Sequence, residues 1–166
     1  EKMRTISIVS VTRSHLKRGV IRDFKSIMND WNIYNENSFN KTDLIYHFPK
    51  GSIIEFFSVD NSEKLRGPGR DILFINEANL ITYDDWTQLV LRTKEKIFID
   101  YNPVDEFSWI YEKVLPREDC CFIQSSYLDN KQFLPSEQVE EIERLKEVDE
   151  NYWQVFGLGN VAKSTD

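Results

Sequence analysis

Polar side chains that could act on a phosphoryl group follow two apolar stretches of the chain. Asn76 and Glu77 come directly after the apolar run 72–75, and Asn102 comes shortly after the run 97–99. A carboxylate fixed at the end of a strand can polarise a water for attack on a phosphoryl group. An amide oxygen at 76 could hold a magnesium-bound water, and the amide at 102 could orient a terminal phosphate. The same residues could instead only end strands and cap turns, because four apolar residues before an acid form a common pattern.

Strand-like and helix-like patterns alternate along the chain, and these elements must position the polar residues. Alternation of this kind predicts an α/β fold, a mostly parallel sheet with helices on both faces, plus a β-hairpin closed by the turn 49–51. Short apolar runs predict the strands, and apolar residues at helical spacing predict the helices. The predicted strands are 5–11, 43–48, 52–59, 71–76, 96–103 and 120–126, and the predicted helices cover 16–28, 82–90, 107–114 and 136–148.

Local signals refine these boundaries. Ser14 is a candidate cap for the first helix, which Gly19 weakens by about 1 kcal/mol relative to alanine. Thr82 with Asp85 three residues later resembles a capping box. Pro103 should end its strand because proline cannot donate to a ladder. The stretch 60–70 has no apolar period and holds two glycines and a proline, so it is predicted to be a loop.

Functional sites in parallel sheets gather at the carboxyl ends of the strands. This rule selects a small set of polar residues in the predicted topology. They are Asn76, Glu77, Tyr101, Asn102, Ser125 and Ser126.

Composition limits the function classes. The chain has 166 residues, which suits one domain, and 40% hydrophobic and 30% charged residues are usual for a globular protein. The net charge of −7 argues against a protein that simply coats nucleic acid. We find no secretory leader and no membrane span of ~18 apolar residues, so no membrane partner is expected. Because Glu1 stands first, we expect a processed product or a piece of something longer.

A combination of motifs is more specific than any one of them. The segments "KLRGPGRD", "ILFINEAN" and "FIDYNP" follow one another between 64 and 103, and "SSYLDNKQFLPSEQVEEIERL" and "YWQVFGLGNVA" come later. Together they resemble the ATPase domain of the large terminase subunit of tailed bacteriophages. The resemblance implies a three-layer ATPase sheet of the phosphate-binding-loop type and a motor that packages double-stranded DNA into a capsid. It also implies ATP and Mg²⁺ as cofactors, a phage portal and a small terminase subunit as partners, a homo-oligomeric ring, and the cytoplasm of a bacterial host.

The resemblance also assigns roles to individual residues. Glu77 matches the glutamate that activates water, and Asn76 stands where many such ATPases carry a magnesium-binding aspartate. An amide is a weaker ligand for a hard cation than a carboxylate, so magnesium would depend more on the phosphates. Asn102 matches the motif that couples phosphate state to movement. Arg66 matches an arginine that reaches the ATP of a neighbouring subunit, although the basic stretch from Lys64 to Arg70 could instead follow DNA.

Two expected parts of that family are not found in the sequence. The phosphate-binding loop G-x-x-x-x-G-K-[ST] is missing, because no glycine of the sequence is followed by Lys and then by Ser or Thr. No nuclease domain follows either. We therefore interpret 1–166 as a partial ATPase domain that hydrolyses ATP poorly by itself. The strand that carries this loop should lie between the strands 96–103 and 120–126, so two strand edges should face a gap that another segment or chain fills. The alternatives are another nucleic-acid motor of the same sheet type, such as a helicase, and a non-catalytic binding module.

Overall fold

The chain divides after Tyr101 into two compact units, and the first of them contains a six-stranded sheet. The computed structural model describes residues 2–104 and 108–161. The strand order is β2-β3-β4-β1-β5-β6, with β1 parallel to both neighbours and β5 parallel to β6, while β2-β3-β4 is an antiparallel meander. The mostly parallel α/β sheet and the hairpin predicted from the sequence are thus confirmed. The strands are β1 (Thr5–Ser10), β2 (Phe39–Asn40), β3 (Ile45–His47), β4 (Ile53–Ser58), β5 (Arg70–Ile75) and β6 (Thr93–Ile99).

Helices cover both faces of this sheet, as the alternating pattern predicts. Ile8 packs on one face against the core that α1 and α2 supply, whereas Ser7 on the other face contacts Arg70, which donates to the Leu89 carbonyl in α4. Consecutive strand residues point to opposite faces, so these helices lie on opposite sides. The helices of this unit are α1 (Arg13–Arg18), α2 (Val20–Asp30), α3 (Ser62–Leu65) and α4 (Tyr83–Val90).

An aromatic core joins α2 to the hairpin. The ring of Phe24 lies 5.3 Å from those of both Tyr46 and Phe56, with edge-to-face geometry. Leu16 of α1 and Phe56 of β4 are fully buried in the same cluster. Burying side chains of this size contributes about 1.5–3 kcal/mol each, so this cluster fixes α1 and α2 against the sheet.

Helix boundaries follow the local signals, with corrections at the start of α1, at Gly19 and in the predicted loop 60–70. Thr12, not Ser14, caps α1, because its side chain accepts the His15 amide N–H. The predicted single helix divides into α1 and α2 at Gly19, the position that the sequence marks as weak. The predicted loop 60–70 contains the short helix α3 and ends where β5 begins. The capping box of α4 is confirmed, since Thr82 accepts from the Asp85 amide and Asp85 accepts from the Thr82 amide.

The last strand of the sheet begins and ends earlier than the predicted strand 96–103. β6 ends at Ile99, four residues before Pro103, and pairs only with β5 among the described residues. Phe98 is 51% exposed. The apolar run therefore marks an edge strand, because burial depends on which elements lie beyond it and the run itself does not specify them.

The second unit is helical in its described residues. Its helices are α5 (Tyr127–Asn130), α6 (Ser136–Val148) and α7 (Glu150–Tyr152), and π-helical turns cover Ile110–Val114 and Trp153–Gly157. Ile110, Val139 and Val155 are buried and form its core. The predicted helix 107–114 is present from 110 onward, and Phe107 lies outside the described residues. No helix in the described part of the chain is both long and apolar enough to cross a bilayer.

The prediction of a strand at 120–126 is wrong. Residues 120–125 form no strand, and Ile123 is 83% exposed. No described strand pairs with this segment, and an apolar run without a ladder partner cannot become a strand. Ser126 consequently does not end a strand; it caps α5 through a capping box with Asp129.

The second glycine of the "GLGN" stretch, Gly159, has a clear packing role in this unit. Gly159 has a φ of +71°, and a Cβ there would lie 2.9 Å from the Ser125 carbonyl oxygen. Gln124 donates to the Leu158 carbonyl and to Asn160 Oδ1, at 3.2 and 2.9 Å. The absence of a side chain at 159 thus lets two distant parts of the unit approach closely.

Candidate functional site

The backbone of Glu77 takes a left-handed turn directly after β5. The Asn76 amide still donates to the Val9 carbonyl at 2.9 Å, so the ladder with β1 continues up to Asn76. Glu77 then has φ 54° and ψ 53°, which only a few per cent of non-glycine residues adopt. This turn ends the strand at its carboxyl rim and leaves Glu77 half-buried there.

Asp100, the residue after β6, holds this turn. Its Oδ1 accepts the Glu77 amide N–H at 2.5 Å, and its Oδ2 accepts from Asn76 Nδ2 at 3.0 Å. Its own backbone is fixed by the ladder, because the Asp100 amide donates to the Ile75 carbonyl at 3.1 Å and its carbonyl accepts from Ala78 at 2.8 Å. The ends of β5 and β6 therefore form one hydrogen-bonded cluster.

A cavity of about 670 Å³ opens beside this cluster. Asn76, Glu77 and Asp100 line one side of it, and His15 and Arg18 of α1 lie among the lining residues as well. Its volume falls within the range of roughly 300–1,000 Å³ that is typical of small-molecule sites. Apolar side chains, among them Ile8 and Phe74, make up most of the lining, and the charged groups at the rim could orient the polar part of a ligand.

The carboxylate of Glu77 is available for chemistry. Among the described residues it accepts no hydrogen bond and joins no ion pair, and the Arg18 guanidinium donates none and joins none either. A carboxylate with open lone pairs at the wall of a cavity can accept a proton from a water.

Asn76 is more constrained than Glu77. Its Nδ2 donates to Asp100, and its Oδ1 accepts from Ser10 Oγ at a long 3.4 Å. The amide oxygen retains a lone pair for a further donor, such as a metal-bound water. The described residues contain no group of three His, Cys, Asp or Glu side chains that could hold a metal ion.

The basic stretch from Lys64 to Arg70 separates into different environments. Arg66 is exposed at the carboxyl end of α3, does not line the cavity and has no ion pair within the described chain. Lys64 donates to the Asp43 carbonyl at 2.9 Å. Arg70 is only 1% exposed: its Nε donates to Ser7 Oγ at 2.9 Å and its Nη1 to the Leu89 carbonyl at 2.8 Å. Burial lowers the pKa of Arg70, and this residue is a core contact that cannot follow DNA.

Of the remaining predicted residues, Asn102, Ser125 and Ser126 lie in the second unit, and Tyr101 is the last residue of the first. Asn102 is exposed, and its carbonyl accepts the Val104 amide at 2.8 Å, which makes a tight turn. Its predicted role beside a terminal phosphate stays a prediction. Ser125 and Ser126 were selected as strand ends, and that reason no longer holds because their segment is not a strand.

Asp100, His15 and Arg18 were missed by sequence reasoning. The signal for Asp100 was present, since it directly follows the apolar run 97–99. Placing the end of the strand at Pro103 hid it, because the rule for carboxyl ends then selected Tyr101 and Asn102. For His15 and Arg18 no local signal existed, since they approach the cavity only when α1 packs on the sheet.

Comparisons with known proteins agree with this fold. The family model of the phage terminase large subunit matches residues 1–160. No curated protein sequence matches the chain. Among solved structures, the large terminase of a thermophilic bacteriophage superposes with a TM-score of 0.70 at 18% identity, over 96% of this chain and 41% of that protein. The same terminase in complex with ATP-gamma-S gives a TM-score of 0.64 at 16% identity, over 96% and 41% of the two chains.

A second phage supplies a match to an isolated domain. An arginine-to-alanine mutant of the Thermus phage P74-26 large terminase ATPase domain superposes with a TM-score of 0.63 at 13% identity, over 95% of this chain and 77% of that one. The chain thus spans about two fifths of the first large terminase, 41%. Since the family model covers nearly its whole length, the chain belongs to the phage terminase large subunit family, and its sheet has the fold of a terminase ATPase domain.

Proposed function

We propose that the chain is part of the ATPase of a phage terminase large subunit, which uses ATP hydrolysis to drive double-stranded DNA into a capsid. The observation that carries this proposal is the open carboxylate of Glu77 at the wall of a cavity at the sheet's carboxyl rim. Family membership and the fold support the reaction class, and a related terminase was solved with ATP-gamma-S. Packaging requires the remaining parts of the large subunit.

In this mechanism Glu77 is the general base. Its carboxylate accepts a proton from a water as that water attacks the terminal phosphoryl group of ATP, and the bond to the leaving group ADP breaks. The cavity excludes part of the bulk solvent. The positive guanidinium of Arg18, which lines it, would stabilise the negative charge of a bound phosphate group. No described group donates a hydrogen bond to the Glu77 carboxylate, so its oxygens are free to accept that proton.

The donor set at the rim fits a Mg²⁺ ion that is held mainly through the nucleotide. Magnesium in ATPase sites usually keeps several waters and takes one or two protein oxygens plus phosphate oxygens. Asn76 Oδ1 would hold one such water, and the Asp100 carboxylate lies beside it. The metal would neutralise charge on the phosphates, while the protein groups orient the waters.

Arg66 and Asn102 take supporting roles in this proposal. Arg66 projects from an exposed helix end, as an arginine that serves the ATP of a neighbouring subunit in a homo-oligomeric ring must do. Asn102 would couple the state of the terminal phosphate to movement, as the motif that it matches does in this family. The partners are double-stranded DNA, a phage portal and a small terminase subunit, in the cytoplasm of a bacterial host.

Replacement of Glu77 by glutamine tests the general base. The variant Glu77→Gln, made in the full-length gene product that contains this chain, should bind a fluorescent ATP analogue normally and lose at least about 100-fold in turnover, because an amide cannot accept the proton. The exposed Glu147 of α6 offers a matched control, and Glu147→Gln should keep the full rate. Turnover that survives Glu77→Gln would reject the general-base role, whereas a wild type that shows no ATP turnover at all would favour the non-catalytic binding module. The chain alone should turn over ATP poorly, since no G-x-x-x-x-G-K-[ST] loop occurs in its sequence.

A further inference from the structure

The left-handed backbone at Glu77 needs an explanation beyond the end of a strand. A glutamate with φ 54° is in a conformation that L-residues rarely adopt and that persists only where neighbouring groups impose it. Glycine would adopt this backbone without strain, yet the chain places a carboxylate there. The group that imposes the turn therefore helps to decide where that carboxylate lies.

Asp100 makes the contacts that impose it. Both oxygens of its carboxylate are occupied by the turn: Oδ1 accepts the Glu77 amide at 2.5 Å, and Oδ2 accepts from Asn76 at 3.0 Å. The peptide N–H of Glu77 is thus tied to a side chain from the next strand, and the Asn76 side chain is tied to the same group. Charge-assisted hydrogen bonds of this kind are roughly twice as strong as those between neutral groups.

The backbone of Asp100 is itself held by hydrogen bonds. Its amide donates to the Ile75 carbonyl, and its carbonyl accepts from Ala78, so its main chain is bonded on both sides of Glu77. A carboxylate built on such a ladder end can hold its partner within a small range of directions. Because its oxygens already accept hydrogen bonds from protein groups, Asp100 is less suited than Glu77 to take a proton from a water.

We propose that Asp100 is a positioning residue for Glu77: it holds the peptide of the general base in a left-handed turn, and so directs the Glu77 carboxylate into the cavity. This inference rests on the proposed ATPase function. Without Asp100 the turn should relax toward an ordinary backbone conformation, which would move the carboxylate while leaving the nucleotide contacts elsewhere unchanged.

The test compares Asp100→Ala, Asp100→Asn and Asp71→Ala in the full-length gene product that contains this chain. Asp71 is the matched control, because its carboxylate also accepts a backbone amide from a neighbouring strand, Thr5 N–H at 2.8 Å, but at the opposite end of β5. Asp100→Ala should lower kcat about 10- to 100-fold with the KM for ATP within about twofold, since a small misplacement of the base affects the reaction rather than binding. Asp71→Ala should leave kcat unchanged.

The asparagine variant provides a graded rescue. Its side-chain oxygen can still accept the Glu77 amide, while its NH₂ group opposes that of Asn76, so kcat should lie between those of the alanine variant and the wild type. Full turnover in Asp100→Ala, or an equal loss in Asp71→Ala, would overturn the positioning role. If Asp100→Ala does not fold, the asparagine variant decides: reduced kcat at unchanged KM supports the role, and wild-type kcat overturns it.

The same assays separate this inference from the function on which it rests. Absence of ATP turnover in the wild type rejects the proposed function itself, and a full rate in Glu77→Gln rejects Glu77 as the general base. Loss of turnover in Glu77→Gln together with a full rate in Asp100→Ala rejects only the positioning role of Asp100.

Discussion

Glu77 combines a strained backbone with a chemically open side chain. Its neighbours in the sequence explain why a strand ends there, but its left-handed φ depends on contacts from Asp100. Strained residues of this type concentrate at functional sites, where the surrounding structure maintains them. The strain at 77 is therefore consistent with a residue kept for its carboxylate rather than for its fit to the turn.

Two substitutions at this position measure the strain. Glu77→Gly should be more stable than Glu77→Ala by about 1 kcal/mol, because glycine occupies the left-handed region without a Cβ clash. Both variants lack the carboxylate, so the comparison isolates the backbone. Urea unfolding of the two chains gives the difference, and an alanine variant as stable as the glycine variant would show that the backbone at 77 is not left-handed in solution.

Arg70 shows how residue type can mislead when its environment is unknown. In sequence it ends a basic stretch with Lys64 and Arg66, yet it opens β5 and is buried against Ser7 and the Leu89 carbonyl. Its Nη2 has no hydrogen-bond partner among the described residues, and its guanidinium lies 5.8 Å from the ring of Phe57. The packing of α4 on the sheet buries Arg70, whereas Arg66 stays exposed.

Among the elements, α4 is the one whose start the sequence specifies most fully. Thr82 and Asp85 exchange hydrogen bonds across the first turn, as their spacing predicts. All the groups involved lie within four residues, so no distant contact is needed to form this cap. Trp86 and Leu89 then bury the apolar side of the helix.

Removal of this cap should be measurable. Thr82→Ala should lower the free energy of unfolding by about 1 kcal/mol, because the Asp85 amide loses its acceptor. Thr87 in the middle of α4 is the matched control; its hydroxyl donates to the Tyr83 carbonyl, and Thr87→Ala should change stability by no more than about 0.5 kcal/mol. Denaturant unfolding of both variants checks this, and equal losses would mean that the cap has no special role.

Two apolar runs with the same appearance became different elements. The run 97–99 is part of β6, whereas the segment 120–125 is an exposed, non-strand segment. β6 has the strand β5 to pair with, and residues 120–125 have no such partner in the described chain. Strand formation is a property of pairs of segments, so one segment's composition cannot decide it.

At the scale of the whole first unit, ion pairs connect the start of the chain to β6 across the sheet. The carboxylate of Glu95 accepts from the Lys2 ammonium and from Arg4 Nε, the latter at 2.8 Å. β5 lies between β1 and β6 in the sheet, so these contacts reach past one strand. Hydrogen bonds from Lys2 and then Arg4 lower the pKa of Glu95 from 4.5 to about 2.

This shift predicts a pH-dependent contribution to stability. A carboxylate whose folded-state pKa is depressed stabilises the fold above its unfolded pKa, and that contribution is lost as the pH falls through the folded value. The wild type should therefore exceed Glu95→Gln in stability by a constant amount above about pH 5, and the difference should shrink between 4.5 and about 2. Urea unfolding across this range measures it. Since the pair is exposed, 1 M NaCl should also reduce the difference; one that is insensitive to both pH and salt would contradict the assignment.

The net charge of the whole chain affects how strongly it can bind DNA. The net charge of −7 repels the DNA phosphates, and the buried Arg70 cannot reach them, so this chain alone should bind duplex DNA weakly.

The sequence by itself determined what depends on neighbours along the chain. The alternation of elements gave the α/β class, the turn at 49–51 gave the hairpin, and the Thr82 pattern gave the cap of α4. It also placed Glu77 at the end of an apolar strand, since a run of apolar residues followed by polar ones marks a strand end. These features involve residues a few positions apart, whose interactions do not wait for the fold.

Only the tertiary structure decided which distant groups meet. It made β6 an edge strand, buried Arg70, brought Arg18 to the cavity and placed the Asp100 carboxylate on the Glu77 amide. The physical reason is that burial and hydrogen-bond partners across a sheet depend on which strands and helices become neighbours in space, and no single segment carries that information.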